Sequence, residues 1–194
     1  MRRFVQVAFY LVTAAIAGGR GVEAQDEYAA VRPTLETCFV CHGPNGASRQ
    51  PLFPILAGQE FYYLYVQLKD FKAGRRANPI MSDIAKGLSK AEMKTVAKFF
   101  SEQTWPDTGY KSVPALAAKG EVAADAGLCV QCHLGGYEGN SRIPRLAGQH
   151  GAYLKKTMLD FKTRVRKNSA AKSSLMDSYS EEEIAAMADF LAGL

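Results

Sequence analysis

Apolar residues recur at helical spacing in two matching segments of the chain, and this pattern predicts amphipathic helices over 58–73 and 148–163. The residues concerned are Leu64, Leu68 and Phe71 in the first segment and Leu154, Met158 and Phe161 in the second. Residues three or four positions apart share one face of an α-helix, so each segment has an apolar face that can enter a core. No stretch alternates between apolar and polar residues as a half-buried strand would. The pattern therefore predicts an all-α fold.

Local signals predict two further pairs of helices. A short helix is expected at 26–38 and again at 114–129. A last helix in each half begins after a serine, Ser89 or Ser180, whose side chain can accept hydrogen bonds from the backbone of the first turn. Glu183 follows Ser180 at the spacing of a capping box. The basic segments that precede these two serines are predicted to be loops.

The chain also contains an internal repeat. The sequence LAGQ occurs at 56–59 and again at 146–149, an offset of 90 residues. Two copies are too few for a solenoid, so they indicate two homologous domains, at 25–104 and 112–194. Residues 105–111 between them include proline and glycine and are predicted to be a linker.

The first 24 residues have the features of a secretory signal peptide. Arg2 and Arg3 supply the positive charge, an apolar stretch follows at 4–17, and Ala24 ends a small-residue cleavage site. An uncleaved membrane anchor is the alternative, but the apolar stretch is shorter than the roughly 20 residues that span a bilayer. We therefore expect export, cleavage after Ala24, and no transmembrane span in the mature chain.

Charge restricts the choice of partner only weakly. The full chain has 24 basic and 19 acidic residues, a formal net charge of +5. Removal of residues 1–24, with three arginines and one glutamate, leaves 21 basic and 18 acidic residues and a net charge of +3. This value does not indicate nucleic acid as a partner. Basic residues cluster at 69–76 and 155–167, where they could attract an acidic protein or form ordinary solvated helix faces.

All four cysteines of the chain belong to two Cys-x-x-Cys-His motifs. The motifs consist of Cys38, Cys41 and His42 in the first half and Cys129, Cys132 and His133 in the second. This motif is the attachment signature of c-type haem, whose vinyl groups form thioethers with the thiols while the histidine binds the iron. A disulfide framework would leave the two histidines unexplained. Two complete motifs predict two covalently bound haem c groups.

Each iron then needs a sixth ligand or an open position. Methionine is the predicted ligand type because it raises the reduction potential in electron-transfer cytochromes. In the first half, Met81 precedes the last helix and is the predicted ligand. In the second half, the repeat aligns Met81 with Lys172, and Met176 lies about one helical turn later. Met176 is the predicted ligand, with Lys172 as the alternative because a deprotonated lysine amine can bind iron. The third histidine, His150, aligns with Glu60 and is expected to be exposed.

These motifs together resemble the cytochrome c4 family, exported dihaem cytochromes built from two class I cytochrome c domains. The resemblance rests on both haem motifs, both copies of LAGQ, the segment 67–74 and Met81. It implies two domains related by pseudo-twofold symmetry, with the haem edges near one another at the domain interface. It also implies that the carbonyl groups of Pro54 and Pro144 orient the proximal histidines, although ordinary turn prolines would fit these positions too.

The resemblance predicts a periplasmic carrier that passes single electrons between redox proteins such as an oxidase, a reductase or a flavoprotein dehydrogenase. Association with a membrane complex is compatible with this function. The dihaem subunit of flavocytochrome c sulfide dehydrogenase has the same plan, so an electron-accepting subunit is the alternative. Tyr62, Tyr63 and Tyr65 could then form part of the face that contacts the flavoprotein, although packing in the core and the haem pocket explains them equally well. A dihaem enzyme that uses the second haem is the remaining hypothesis.

Overall fold

The structure, a computed structural model, describes residues 26–194, so the predicted signal peptide at 1–24 lies outside the described residues. Within this range the fold is all-α, as predicted, and β-type pairing is limited to two isolated bridges. The α-helices are α1 (Arg32–His42), α2 (Phe61–Lys72), α3 (Pro79–Gly87), α4 (Lys90–Ser101), α5 (Pro114–Ala126), α6 (Cys129–His133), α7 (Gly151–Lys162), α8 (Ala170–Asp177) and α9 (Glu181–Ala192). Among these helices, none is long and apolar enough to cross a membrane.

The two halves of the chain share one arrangement of helices. In the N-terminal half, α2 packs against α3 and α4; in the C-terminal half, α7 packs against α8 and α9, and α5 packs against α9. Each half has its own hydrophobic core. Buried core residues include Leu64, Val96 and Phe100 in the first half and Leu154, Ile184 and Met187 in the second. The apolar faces predicted from helical spacing therefore enter two separate cores.

The amphipathic helices α2 and α7 begin later than predicted, because the glycine of each LAGQ sequence cannot be part of them. Gly58 and Gly148 have φ angles of 66° and 69°, in the left-handed region that glycine adopts without strain. The linker residue Trp105 lies against both turns. A Cβ atom on Gly58 would lie 2.9 Å from the Trp105 backbone nitrogen, and one on Gly148 would lie 3.1 Å from its Nε1. The two copies of LAGQ thus pack on one tryptophan.

The haem motifs are on different kinds of helix in the two halves. In the first half, α1 continues through the whole motif and ends at His42. In the second half, the helix predicted over 114–129 ends at Ala126, because Leu128 has a left-handed φ of 51°. The motif then forms the separate short helix α6.

The basic segments predicted to be loops contain helices α3 and α8, so this prediction was wrong. Asn78 caps α3 with its side chain, and Pro79 at the first helical position favours helix initiation. Ser169 caps α8 in the same way. Both helices are short and follow polar, basic residues. The helices that follow have capping boxes: the predicted one at Ser180 of α9 is confirmed, and α4 has another at Ser89.

Close packing of α5 on α9 depends on Gly120, and replacing this residue with alanine is expected to destabilise the protein by about 1 to 3 kcal/mol. A Cβ atom at this position would overlap the carbonyl oxygen of Ala186 in α9. Gly87 in α3 provides the control, since a Cβ atom there would meet nothing within 4 Å. G87A should therefore keep or raise stability, by up to about 1 kcal/mol. Thermal unfolding of both variants measures the difference, and equal unfolding temperatures would contradict this account.

Paired hydrogen bonds across the interface relate the two halves by a pseudo-twofold axis. The side chain of Gln149 accepts a hydrogen bond from the backbone nitrogen of Ile55 at 2.9 Å and donates one to its carbonyl oxygen at 3.0 Å. Gln59 makes the same two bonds with the backbone of Arg145, at 2.8 and 3.0 Å. Gln59 and Gln149 are 90 residues apart, and so are Ile55 and Arg145. Each half therefore makes the same pair of hydrogen bonds to the other, as pseudo-twofold symmetry requires.

Candidate functional site

Both Cys-x-x-Cys-His motifs open into one cavity that crosses the interface between the halves. The cavity has a volume of about 530 Å³ and is lined mainly by apolar side chains. Its volume lies in the range of pockets that enclose cofactors. The residues from the motifs that line it are Cys38, Cys41, His42, Cys129, Cys132 and His133. The sequence motifs, although far apart in the chain, therefore belong to one site.

Each motif histidine is held by a hydrogen bond to a proline carbonyl group. The Nδ1 atom of His42 lies 2.8 Å from the carbonyl oxygen of Pro54, and that of His133 lies 2.8 Å from the carbonyl oxygen of Pro144. A carbonyl group only accepts, so Nδ1 carries the hydrogen and Nε2 keeps its free lone pair. Burial and the positive charge of Lys172 lower the pKa of His133 to about 4, against the opposite effect of the bond to Pro144. The lowered pKa favours the neutral imidazole, which is the metal-binding form, and the bond to the proline carbonyl sets which nitrogen carries the hydrogen.

The environments of Cys38 and Cys129 are unlike that of a redox dithiol. None of the four cysteines forms a disulfide among the described residues. Burial raises the pKa of Cys38 to about 11 and also raises the pKa of Cys129. Redox-active Cys-x-x-Cys motifs have the opposite property, a thiolate stabilised by a lowered pKa. The thiols are accessible from the cavity and suit attachment to an apolar cofactor.

Helix α3 places Met81 on the wall of the cavity in the first half. The residue lies in the first turn, where the side chain of Asn78 accepts a hydrogen bond from its backbone nitrogen at 2.9 Å. Met81 was expected in a loop, and it lies instead in a capped helix. This fixed backbone limits the directions that the thioether can take.

Helix α8 brings Lys172 to the corresponding place in the second half. Its Nζ atom lies 3.0 Å from the Nε2 atom of His133. Burial lowers the pKa of Lys172, although the thiols of Cys132 and Cys129 act in the opposite direction. Met176, one turn later, also lines the cavity but belongs to the hydrophobic core, with 5% of its surface exposed.

His150 is half-buried, so the prediction of an exposed histidine was wrong. Its Nε2 atom lies 2.9 Å from the carbonyl oxygen of Ser48, in the other half of the chain. The burial comes from the packing of the halves, which the residue's own segment does not reveal. The interpretation that His150 is not an iron ligand stays a prediction.

Two arginines from the basic clusters point into the interface rather than into solvent. Arg76 and Arg166 form an isolated backbone bridge, and both guanidinium groups donate to the side-chain oxygen of Gln67, at 3.0 and 2.8 Å. Arg76 also donates to the hydroxyl group of Tyr153 at 3.0 Å. Although burial favours the neutral phenol, these two arginines lower the pKa of Tyr153 to about 8. The expectation that the basic clusters lie on the solvated surface is therefore wrong for Arg76 and Arg166.

The residues around the cavity fit a c-type haem in each half. Each half supplies two thiols, a neutral imidazole with its free nitrogen available, and an apolar wall. Arg166 is buried and Arg76 is half-buried at the interface, and the acidic propionates of haem would balance this positive charge. Haem would supply one-electron redox chemistry, while the protein supplies position, ligands and exclusion of water.

An all-helical chain with two haem-attachment sites in one interdomain cavity defines a dihaem c-type cytochrome. Comparison with known proteins supports this class. The family model for cytochrome c matches residues 117–194. Cytochrome c4 from Thiocapsa roseopersicina is 36% identical over 169 residues, which cover 81% of this chain and 86% of the relative. A thiosulfate dehydrogenase electron acceptor from Thiomonas intermedia is 34% identical and covers 79% of this chain and 75% of its own length.

A solved structure shows the same architecture. The crystal structure of reduced recombinant cytochrome c4 from Pseudomonas stutzeri superposes with a TM-score of 0.78 at 32% identity, covering 85% of this chain and 97% of the other. The chain belongs to the cytochrome c4 family. It is an electron carrier with two covalently bound haem c groups in tandem cytochrome c domains, and its partners are redox proteins.

Proposed function

We propose that this chain is a periplasmic carrier that takes up and releases single electrons at two haem groups. The cysteines of each motif attach one haem, and His42 and His133 are the proximal ligands, oriented by Pro54 and Pro144. Met81 is the sixth ligand of the first iron. Helix α8 supplies the sixth ligand of the second iron, since it carries both Met176 and Lys172. The domains extend over 25–104 and 112–194, with the linker at 105–111.

The observation that carries this proposal is the shared cavity. Both motifs line it, and the paired glutamine bonds hold the halves around it. Two haem groups attached there would share one apolar cavity, and only the interface between the two halves would lie between them. Such an arrangement supports exchange of an electron between the groups without release to solvent.

Expression of the complete chain in a bacterium with a haem-attachment system tests the proposal. We expect the protein in the periplasmic fraction, an N-terminus at Gln25, two covalent haems per chain, and two one-electron steps in a redox titration. Removal of residues 2–24 provides the control and should abolish covalent haem attachment, because the chain then stays in the cytoplasm. Cytoplasmic accumulation of the complete chain, or a chain with fewer than two haems, would contradict the proposal.

A second candidate function is that of the electron-accepting partner of a dehydrogenase. The relative from Thiomonas intermedia, named as the electron acceptor of thiosulfate dehydrogenase, favours it. Exposed apolar side chains also accompany the first haem motif: Val40 is part of it, and Leu52 and Ile80 line the cavity into which it opens. Of the three tyrosines that could belong to a partner face or to the core, only Tyr62 is exposed. Tyr65 is buried in the core, and the hydroxyl group of Tyr63 faces Arg166 across the interface.

Rapid reduction separates the two candidates. The oxidised protein is mixed with a purified thiosulfate dehydrogenase and thiosulfate, or with a flavoprotein sulfide dehydrogenase and sulfide. Saturable reduction by one of them, together with co-elution at stoichiometric ratio, favours the partner function. Reduction that remains linear in enzyme concentration, without a stable complex, favours the free carrier.

A further inference from the structure

Helix α8 presents a lysine at the position where helix α3 presents a methionine. The side chain of Asn78 caps α3 and accepts a hydrogen bond from the backbone nitrogen of Met81 at 2.9 Å. The side chain of Ser169 caps α8 and accepts one from the backbone nitrogen of Lys172 at 3.3 Å. Met81 and Lys172 are therefore both the third residue after the cap, and both line the cavity. The two helices hold these side chains in equivalent places.

The amine of Lys172 faces the metal-binding nitrogen of the proximal histidine. The Nζ atom lies 3.0 Å from Nε2 of His133, whose other ring nitrogen is bound to the carbonyl oxygen of Pro144 at 2.8 Å. Two nitrogen atoms from α6 and α8 thus converge on one point of the cavity. Each can offer a lone pair there, the lysine after loss of one proton. The contact places the lysine amine beside the nitrogen of His133 that would bind iron, on the side of the cavity where a sixth ligand would lie.

Met176 occupies a position of another kind. Its counterpart in α3, at the offset of 91 that relates the two caps, is Ala85, which is completely buried. Met176 is itself packed in the hydrophobic core with Leu154 and Ile184. A residue whose counterpart is a buried alanine has a packing function in the helix, and the extra volume of its side chain fills the core of the second half.

We propose that Lys172, rather than Met176, is the sixth ligand of the second haem iron, so that the two haems have different ligand sets. This inference rests on the proposed function, in particular on His133 as the proximal ligand. Methionine opposite histidine raises the reduction potential of haem iron. The second haem, with two nitrogen ligands, then has the lower potential. An electron that enters at the second haem passes to the first, which is reduced as the second is oxidised.

Near-infrared absorption of the oxidised holoprotein tests the ligand, because a methionine–iron bond gives a charge-transfer band and a lysine–iron bond does not. We expect a band with the intensity of one haem, which M81L abolishes. K172M should double the band and raise one of the two midpoint potentials. M176L is the matched control within α8, and it should leave both the band and the potentials unchanged.

A band with the intensity of two haems in the unsubstituted protein, halved by M176L, would overturn the inference. A high-spin signal from one haem in the unsubstituted protein would also overturn it, because the second iron would then lack a sixth ligand. Both measurements remain decisive if K172M fails to fold. A separate measurement of haem content distinguishes failure of this inference from failure of the proposed function. The proposed function requires two covalent haems per chain, whichever residue is the sixth ligand of the second iron.

Discussion

A chain in which Cys129 and Cys132 are both replaced by alanine is expected to retain one covalent haem and to lose the helical structure of its C-terminal half. The thiols are the only covalent link that the described site offers to the second haem. Without the cofactor, the apolar wall of the cavity on this side would face water. A domain of about 80 residues buries only about 60% of the surface exposed by its unfolded chain, so its stability is marginal without added apolar mass.

The expected losses can be measured independently. Covalent haem, determined after denaturing electrophoresis or by mass, should fall from two groups to one per chain. The C-terminal half contributes α5 to α9, so far-ultraviolet circular dichroism should fall by about half. The thermal transition should also broaden or disappear, because the remaining half loses the hydrogen bonds that it receives across the interface.

The corresponding variant in the first half, C38A/C41A, is the matched control. It should retain the other haem and lose the helices of the N-terminal half, α1 to α4. Retention of two covalent haems in either variant would contradict the attachment sites. Full helicity with one haem would instead show that each half folds without its cofactor, which would contradict the structural role assigned to haem.

The repeat and the motifs revealed much of this molecule because they are local. Leu64 and Phe71 in α2, like Leu154 and Phe161 in α7, follow helical spacing, and hydrophobic burial then places them in the cores. The Cys-x-x-Cys-His motifs identify their own chemistry, because thiols and histidine must be adjacent to attach one haem. Helices α3 and α8 were missed because they are short and begin soon after basic residues, although their caps, Asn78 and Ser169, are local signals of helix initiation.

The contacts between the halves could not be predicted from local patterns. Arg76 and Arg166 belong to basic clusters that would ordinarily be solvated, and their burial depends on Gln67 of the first half and on the bridge between them. Their recurrence at the repeat offset of 90 was a usable signal, since duplicated surface residues have no reason to persist in register. The glutamines of the two LAGQ sequences also recur at this offset. Their function in joining the halves is evident only in the structure, where each one bonds to the backbone of the other half.

Replacement of Gln149 with alanine is expected to destabilise the holoprotein by about 2 to 6 kcal/mol, because it leaves two buried backbone groups without partners. The nitrogen and carbonyl oxygen of Ile55 both bind this side chain, and Ile55 is 1% exposed, so water cannot replace the lost bonds. Each unsatisfied buried group costs about 1 to 3 kcal/mol. Gln149 is itself buried, so the substitution also leaves a cavity in the interface.

The matched control is Q59A, which breaks the symmetry-related pair of bonds to Arg145. Arg145 is half-buried, so water can hydrate its freed backbone groups and the loss should be smaller than for Q149A. Denaturant unfolding of both oxidised holoproteins gives the two free energies. An effect of Q59A equal to or larger than that of Q149A would show that burial of the Ile55 backbone does not set the strength of the interface. If the prediction holds, Q149A should also slow electron exchange between the haems more than Q59A does, because the same contacts hold the two attachment sites around one cavity.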